Sequence, residues 1–208
     1  MMTYLSEISS KLIAFILLFV TGSVCAQNLD IRILRLLNSP SKLPSDKFFQ
    51  FVSNSAVFPE IGIPAGILTS GLIRQDDEIV RKACVIIGAA AINSGITLVV
   101  KYSVNRNRPF VTYPDIAKKS AAGSPSFPSG HTSGAFSLAT SLTLSYPKWY
   151  IIVPAYSWAG TVAFSRMDLG VHYPSDVLAG ALIGSGSAWL TYYINKKLIM
   201  NSQKKPVH

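Results

Sequence analysis

Residues 83–100 read ACVIIGAAAINSGITLVV, eighteen residues without a charge, followed directly by Lys101. A bilayer core takes about 20 residues of helix, so this stretch reads as a membrane-spanning segment. Four more apolar segments flank it. Residues 56–73 contain Pro59, Glu60 and Pro64; 132–146 are rich in Thr and Ser; 149–164 hold Trp149, Tyr150, Tyr156 and Trp158; 177–195 end in Trp189, Tyr192 and Tyr193. Aromatic side chains at segment ends suit a membrane–water interface. The third segment, short and hydroxyl-rich, also fits a core helix. The predicted fold class is all-α: a membrane-embedded helical bundle over 56–198 with about five transmembrane helices.

Composition agrees with this reading. Of 208 residues, 14% are charged and 49% are apolar, against roughly 25% charged in an average soluble domain. Mean hydropathy is +0.35. These values exclude a disordered chain, which is charged and poor in large apolar side chains. Two cysteines exclude a disulfide-rich scaffold. The net charge of +9 is compatible with nucleic acid, an anionic membrane surface or a phosphorylated substrate, and composition alone does not choose between them.

Upstream, Lys11 precedes an apolar run from Leu12 to Val20, and small residues follow from Thr21 to Ala26. This is the pattern of a secretory signal segment over 1–26, cut after Ala26, with an uncleaved anchor as the alternative. Either puts residue 28 onward outside the cytoplasm. Residues 27–55 read as an interfacial amphipathic segment. Leu29, Ile31, Ile33, Leu34, Leu36 and Leu37 alternate with Asp30, Arg32 and Arg35; a break at 39–44 follows, then a second piece over 46–52. Residues 199–208 read as a cytoplasmic tail. With single crossings, Arg74, Arg81, Lys82, Lys148 and the tail lysines fall on the cytoplasmic side. Lys101, Arg106, Arg108 and Arg166 fall outside and need another explanation.

Three clusters supply one. Lys101 and Arg108 have six residues between them, with Pro109 next; Pro128-Ser129-Gly130-His131 precedes the third segment; Ser165-Arg166 is followed by His172 and Asp176. Arginine offers a planar fork for two oxygens. Ser129 suits a helix N-cap whose free N–H groups favour an anion, and Gly130 permits close approach to the backbone. Asp176, four residues after His172, can accept the imidazole Nδ1–H and leave Nε2 free to attack. Singly, each cluster has an ordinary structural reading as a membrane-boundary cation, a capped helix or a polar pair. Alternating ends of a five-crossing bundle bring all three to one face. Together they suit phosphoryl transfer: cations hold the phosphate oxygens, one neutral imidazole attacks, and a protonated one serves the leaving alkoxide. No metal is demanded, because no carboxylate or Cys/His cluster has ligand spacing.

These motifs resemble those of the type 2 phosphatidic acid phosphatase superfamily, which includes bacterial class A acid phosphatases and vanadium haloperoxidases. All eleven specified residues, from Lys101 to Asp176, are present. The resemblance implies that Lys101, Arg108, Ser129, Gly130 and Arg166 bind the phosphate. It implies His172 as nucleophile, Asp176 as its orienting partner and His131 as general acid, with no cofactor. Arg106 and Asp168 lie at open positions and are expected on the rim. The expected partners are a phosphorylated lipid substrate and membrane lipids, and no nucleic acid. The expected location is the bacterial inner membrane, with the site facing the periplasm. The expected reaction is hydrolysis of a lipid phosphate or diphosphate through a phosphohistidine. The alternatives are a soluble periplasmic acid phosphatase, vanadate-dependent halide oxidation, and a transporter or scaffold that only binds phosphate.

Overall fold

The computed structural model describes residues 23–203 apart from 40 and 42, so the apolar run Leu12–Val20 of the expected signal segment lies outside the described residues. The described residues form helices and connecting loops: α1 Ser23–Leu37, α2 Pro44–Ser55, α3 Val57–Arg74, α4 Asp77–Val104, the one-turn α5 Pro109–Thr112, α6 Gly130–Ser145, α7 Trp149–Asp168 and α8 Pro174–Gln203. The expected cleavage point after Ala26 falls inside α1.

The charge-free stretch at 83–100 is the middle of a longer helix. Asp76 caps α4 by accepting from the Glu78 and Ile79 N–H groups, so the charged turn 77–82 is helical. At the other end Asn105 takes the left-handed conformation, φ 48°, and its N–H closes on the Lys101 carbonyl. Lys101 therefore sits in the last turn of a rigid helix.

Helix α6 lies at the centre, packed against α4, α7 and α8. It is 16 residues long, about 24 Å, and its buried positions include Ser133, Ser137, Thr140 and Ser141. Neighbouring helices surround it: Ser133 and Thr140 find side-chain partners on them, whereas Ser137 Oγ and Ser141 Oγ have none among the described residues. Its tightest contact is with α8. A Cβ on Gly184 would stand 2.1 Å from the Ser133 carbonyl oxygen, and one on Gly180 2.6 Å from that of Ser129. Small residues four apart on both helices allow this approach.

The outer helices show the opposite pattern. Leu72, Ile73, Leu98, Val99, Leu178 and Leu182 are exposed, as are Trp149 at the start of α7 and Trp189 and Tyr193 within α8. A water-soluble monomer rarely leaves so large an apolar surface uncovered. By length and composition, the stretch Asp77–Thr112 and α8 are each suited to cross a membrane, and α2 with α3, bent by 42°, form a third candidate. The sequence predicts about five crossings; α6 and α7 do not meet this measure among the described residues. For α6 the first reason is length, since it has only 16 residues, and its hydroxyl-rich composition is tolerated because neighbouring helices surround it.

The 27–55 segment keeps Leu29, Leu36, Phe48 and Phe51 exposed while its polar residues turn inward. Asp30, Asn38, Asp46 and Ser53 are all buried. Asn38 donates to the carbonyls of Ala117 and Asp168 and accepts from the Ala117 N–H. Asp46 pairs with Lys119 at 2.8 Å, and Gln50 donates to the Lys119 carbonyl. Polar residues that resemble a solvated face instead fasten the loop between α5 and α6. Gly170 completes this corner with φ +68°, where a Cβ would lie 2.3 Å from the Ala117 oxygen.

Candidate active site

The ends of α4, α6 and α7, with the loops that follow α4 and α7, meet around a cavity of about 230 Å³. Its walls are Lys101, Arg108, Gly130, His131, Arg166 and His172, with Ala121, Ala122, Gly123 and Ser124 from the loop before α6. Residues spread from 101 to 172 thus share one pocket. Lys101, Arg108, Arg166 and His172 are buried, whereas His131 is exposed at the start of α6.

Backbone carbonyls hold the cations. Lys101 Nζ donates to the oxygens of Pro125 and Pro128 at 2.9 and 2.8 Å. Arg108 Nε donates to the Ser124 carbonyl and Nη1 to that of Val171, each at 2.8 Å. Arg166 Nη1 donates to Ser53 Oγ. Its buried Nε has no protein partner. Three neighbouring positive charges repel one another in a low-dielectric setting. Carbonyl dipoles hold Lys101 and Arg108 in place and the Ser53 hydroxyl meets Arg166, and an incoming anion would relieve the repulsion.

Arg108 Nη1 also lies 3.3 Å from His172 Nε2. A guanidinium has only donors, so Nε2 is the acceptor and the ring proton belongs on Nδ1. Nδ1 faces Asp176 Oδ2 at 3.4 Å, within ion-pair reach but without a completed hydrogen bond. Burial pushes the His172 imidazole down to about 3, although Asp176 pulls in the opposite direction. The ring is neutral at ordinary pH, with its lone pair on the cavity side.

Asp176 is fully buried and held on both oxygens. Oδ1 accepts from Arg106 Nη1 at 2.8 Å. Oδ2 accepts from Ser126 Oγ and, at 2.9 Å, from the Tyr173 N–H. Ser129 occupies the N-cap position of α6, but its hydroxyl accepts from Thr132 Oγ1 at 2.9 Å instead of capping the helix. Ser129 does not line the cavity, whereas Gly130 does.

Two expected rim residues lie elsewhere. Asp168 is buried at the end of α7. Arg106 stands behind Asp176, its guanidinium carbon 3.8 Å from the Tyr173 ring centre. Burial of their polar heads against other charges and dipoles outweighs their open positions in the motif. Sequence reasoning also misses Asp30, Ser53, Ser124 and Ser126. The only local signal for the last two is the hydroxyl- and proline-rich run 124–129.

The sequence pattern of the PAP2 superfamily matches residues 82–200, and the chain belongs to that family. The lipid A 4'-phosphatase of Bacteroides thetaiotaomicron is 35% identical over 99 residues, 48% of this chain and 44% of that protein. The undecaprenyl-diphosphatase of Sulfolobus acidocaldarius is 35% identical over 113 residues, 48% of this chain and 54% of that protein. The matched part thus spans about half the length of these curated relatives. Among solved structures, Aquifex aeolicus LpxE superposes with a TM-score of 0.66 at 27% identity, over 79% of this chain and 95% of that one. A transmembrane PAP2 type phosphatidylglycerolphosphate phosphatase from Bacillus subtilis gives 0.68 at 22% identity, over 96% and 98%. The latter shares the fold along nearly the whole chain. This protein is a helical membrane protein of the same architecture.

Proposed function

We propose that the protein is a metal-independent phosphatase that hydrolyses a lipid phosphate or diphosphate through a phosphohistidine. The observation that carries this reading is His172 on the wall of a cavity also lined by Lys101, Arg108 and Arg166, with Nε2 held 3.3 Å from Arg108 Nη1. The three cations bind the phosphate oxygens and hold the charge that develops on them. His172 Nε2 forms a bond to phosphorus as the bond to the leaving oxygen breaks. His131, exposed at the cavity, gives that oxygen its proton. Asp176 stabilises the charge on the phosphorylated imidazole. Neutral His131 then takes a proton from water, which attacks phosphorus, releases inorganic phosphate and restores His172. Gly130 supports the phosphate from the start of α6.

Candidate substrates are a polyprenyl diphosphate, a phosphatidylglycerophosphate or phosphatidate, and a lipid A phosphate; the names of the relatives fall in the same range. The reading includes five crossings (α3, α4, α6, α7 and α8), a signal segment over 1–26, an inner-membrane location and a periplasmic site. The exposed apolar belt on α3, α4 and α8 favours a membrane enzyme over a soluble acid phosphatase. Phosphate release from a panel of lipid and soluble phosphates in detergent, with EDTA present, tests the activity. Vanadate should inhibit, and His172→Ala should abolish turnover; wild-type rates in that variant would refute the mechanism. Recovery of the protein in osmotic-shock fluid without detergent would refute the membrane reading.

A further inference from the structure

Asp30 lies in α1, outside the family match at 82–200, yet it is buried against the catalytic corner. Arg106 uses its fork to join two carboxylates: Nη1 donates to Asp176 Oδ1 at 2.8 Å and Nη2 to Asp30 Oδ2 at 2.9 Å. Asp30 also holds the first turn of α8, the helix that carries Asp176. Its Oδ1 accepts from the Ser175 N–H at 3.0 Å and its Oδ2 accepts from the Ser175 hydroxyl. A carboxylate from another helix therefore caps α8 at its N-terminus, where negative charge is favoured.

We propose that Asp30 is a positioning residue for the nucleophilic histidine, acting through Arg106 and Asp176. The inference rests on the phosphohistidine reading above. An uncompensated guanidinium at Asp176 Oδ1 would hold the carboxylate's charge on the side away from His172. Asp30 balances that guanidinium, so Asp176 keeps its negative charge available for the imidazole. Asp30 also fixes the backbone of Ser175, next to Asp176, which sets the 3.4 Å approach to His172 Nδ1. The charged groups around His172 are Asp176 from α8, Arg108 from the loop after α4 and Arg166 from α7. Removing the Asp30 charge adds one positive unit behind this set. The imidazole then becomes harder to protonate and a weaker nucleophile.

The test uses the full-length chain in detergent, with phosphatidate in mixed micelles as the probe. Asp30→Asn should lower kcat by roughly 10- to 100-fold, the usual range for removing a partner that orients a site residue. KM should stay within about 2-fold, because no phosphate contact is lost. The acid limb of the pH profile should move to lower pH, and Asp30→Glu should recover most of kcat. A purely structural role would lower thermal stability and the active fraction without moving the acid limb. A folded Asp30→Asn enzyme with wild-type kcat and pH profile overturns the proposal. If Asp30→Asn does not fold, Arg106→Lys decides. It keeps the charge but loses the fork, so kcat should fall at unchanged KM, and retained kcat overturns the proposal. His172→Ala runs alongside. Turnover in that variant refutes the phosphohistidine reading itself. A dead His172→Ala enzyme with an unaffected Asp30→Asn enzyme refutes only the role of Asp30.

Discussion

Arg108 Nη1 stands 3.3 Å from His172 Nε2, so the cation proposed to bind phosphate also fixes the tautomer of the ring proposed to attack. A guanidinium cannot accept a hydrogen bond, and its position leaves the ring proton only the Asp176 side. Arg108→Lys should therefore damage more than binding. The shorter point charge would lose the contact with His172 as well as those with Ser124 and Val171. We expect KM to rise and kcat to fall by about 10-fold or more, read from steady-state phosphate release.

Asp176→Asn separates orientation from binding. The amide is uncharged and would place N–H donors against a site where the carboxylate accepts from Arg106, Ser126 and the Tyr173 N–H. The imidazole loses its compensating charge. By analogy with other His–Asp pairs, kcat should drop by about 10³-fold or more, with KM little changed. Comparable kcat in the variant and wild type would show that the pair is structural.

The pH dependence follows from the burial of His172. With its folded value lowered to about 3, the ring keeps its lone pair through the mildly acidic range. The acid limb of kcat/KM assigned to His172 should lie well below the ordinary histidine value of about 6.5. Stability should show the same shift. An unfolded His172 takes up a proton below about pH 6.5, and the folded one does not until about pH 3. Folding therefore loses support as pH falls through that window. Thermal melting of wild type and His172→Asn across the window checks the sign, because the variant should lose less.

The α6–α8 contact depends on the absence of a side chain. Gly184→Ala sets a methyl 2.1 Å from the Ser133 oxygen, so the helices must part. A cost of about 1–3 kcal/mol is expected, with lower activity because His131 and Asp176 ride on these two helices. Gly160→Ala, with nothing within 4 Å of the new methyl, should melt at or slightly above wild type. Equal melting of the two variants would contradict the packing described here.

Much of the site is legible in the sequence because its residues sit at fixed intervals on helix ends. The Lys101–Arg108 spacing places both cations in the cavity wall, and the His172–Asp176 spacing puts the carboxylate behind the imidazole. Helix boundaries are harder to read, because caps such as Asp76 and Asn105 extend α4 through charged turns that look like boundaries. The support from α1 and α2 is not legible. Asp30 sits among alternating apolar and basic residues, a pattern shared by any surface helix. Only the three-dimensional path shows that its carboxylate turns inward to Ser175. Arg106 is misread for a related reason: a motif position that accepts several residue types gives no hint of the contacts made by the one present.

The bond from the Ser175 N–H to Asp30 joins residues 145 positions apart. Contacts of such long range form late in folding, because the intervening chain must first be ordered. The corner that holds Asp176 closes only after the chain has been made as far as α8 and brought back to α1. A nascent chain stalled before α8 would carry Lys101, Arg108, His131, Arg166 and His172, but neither Asp176 to orient that histidine nor the Ser175 anchor for α1. The His172–Asp176 pair and its Asp30 support are therefore completed only once synthesis has reached α8.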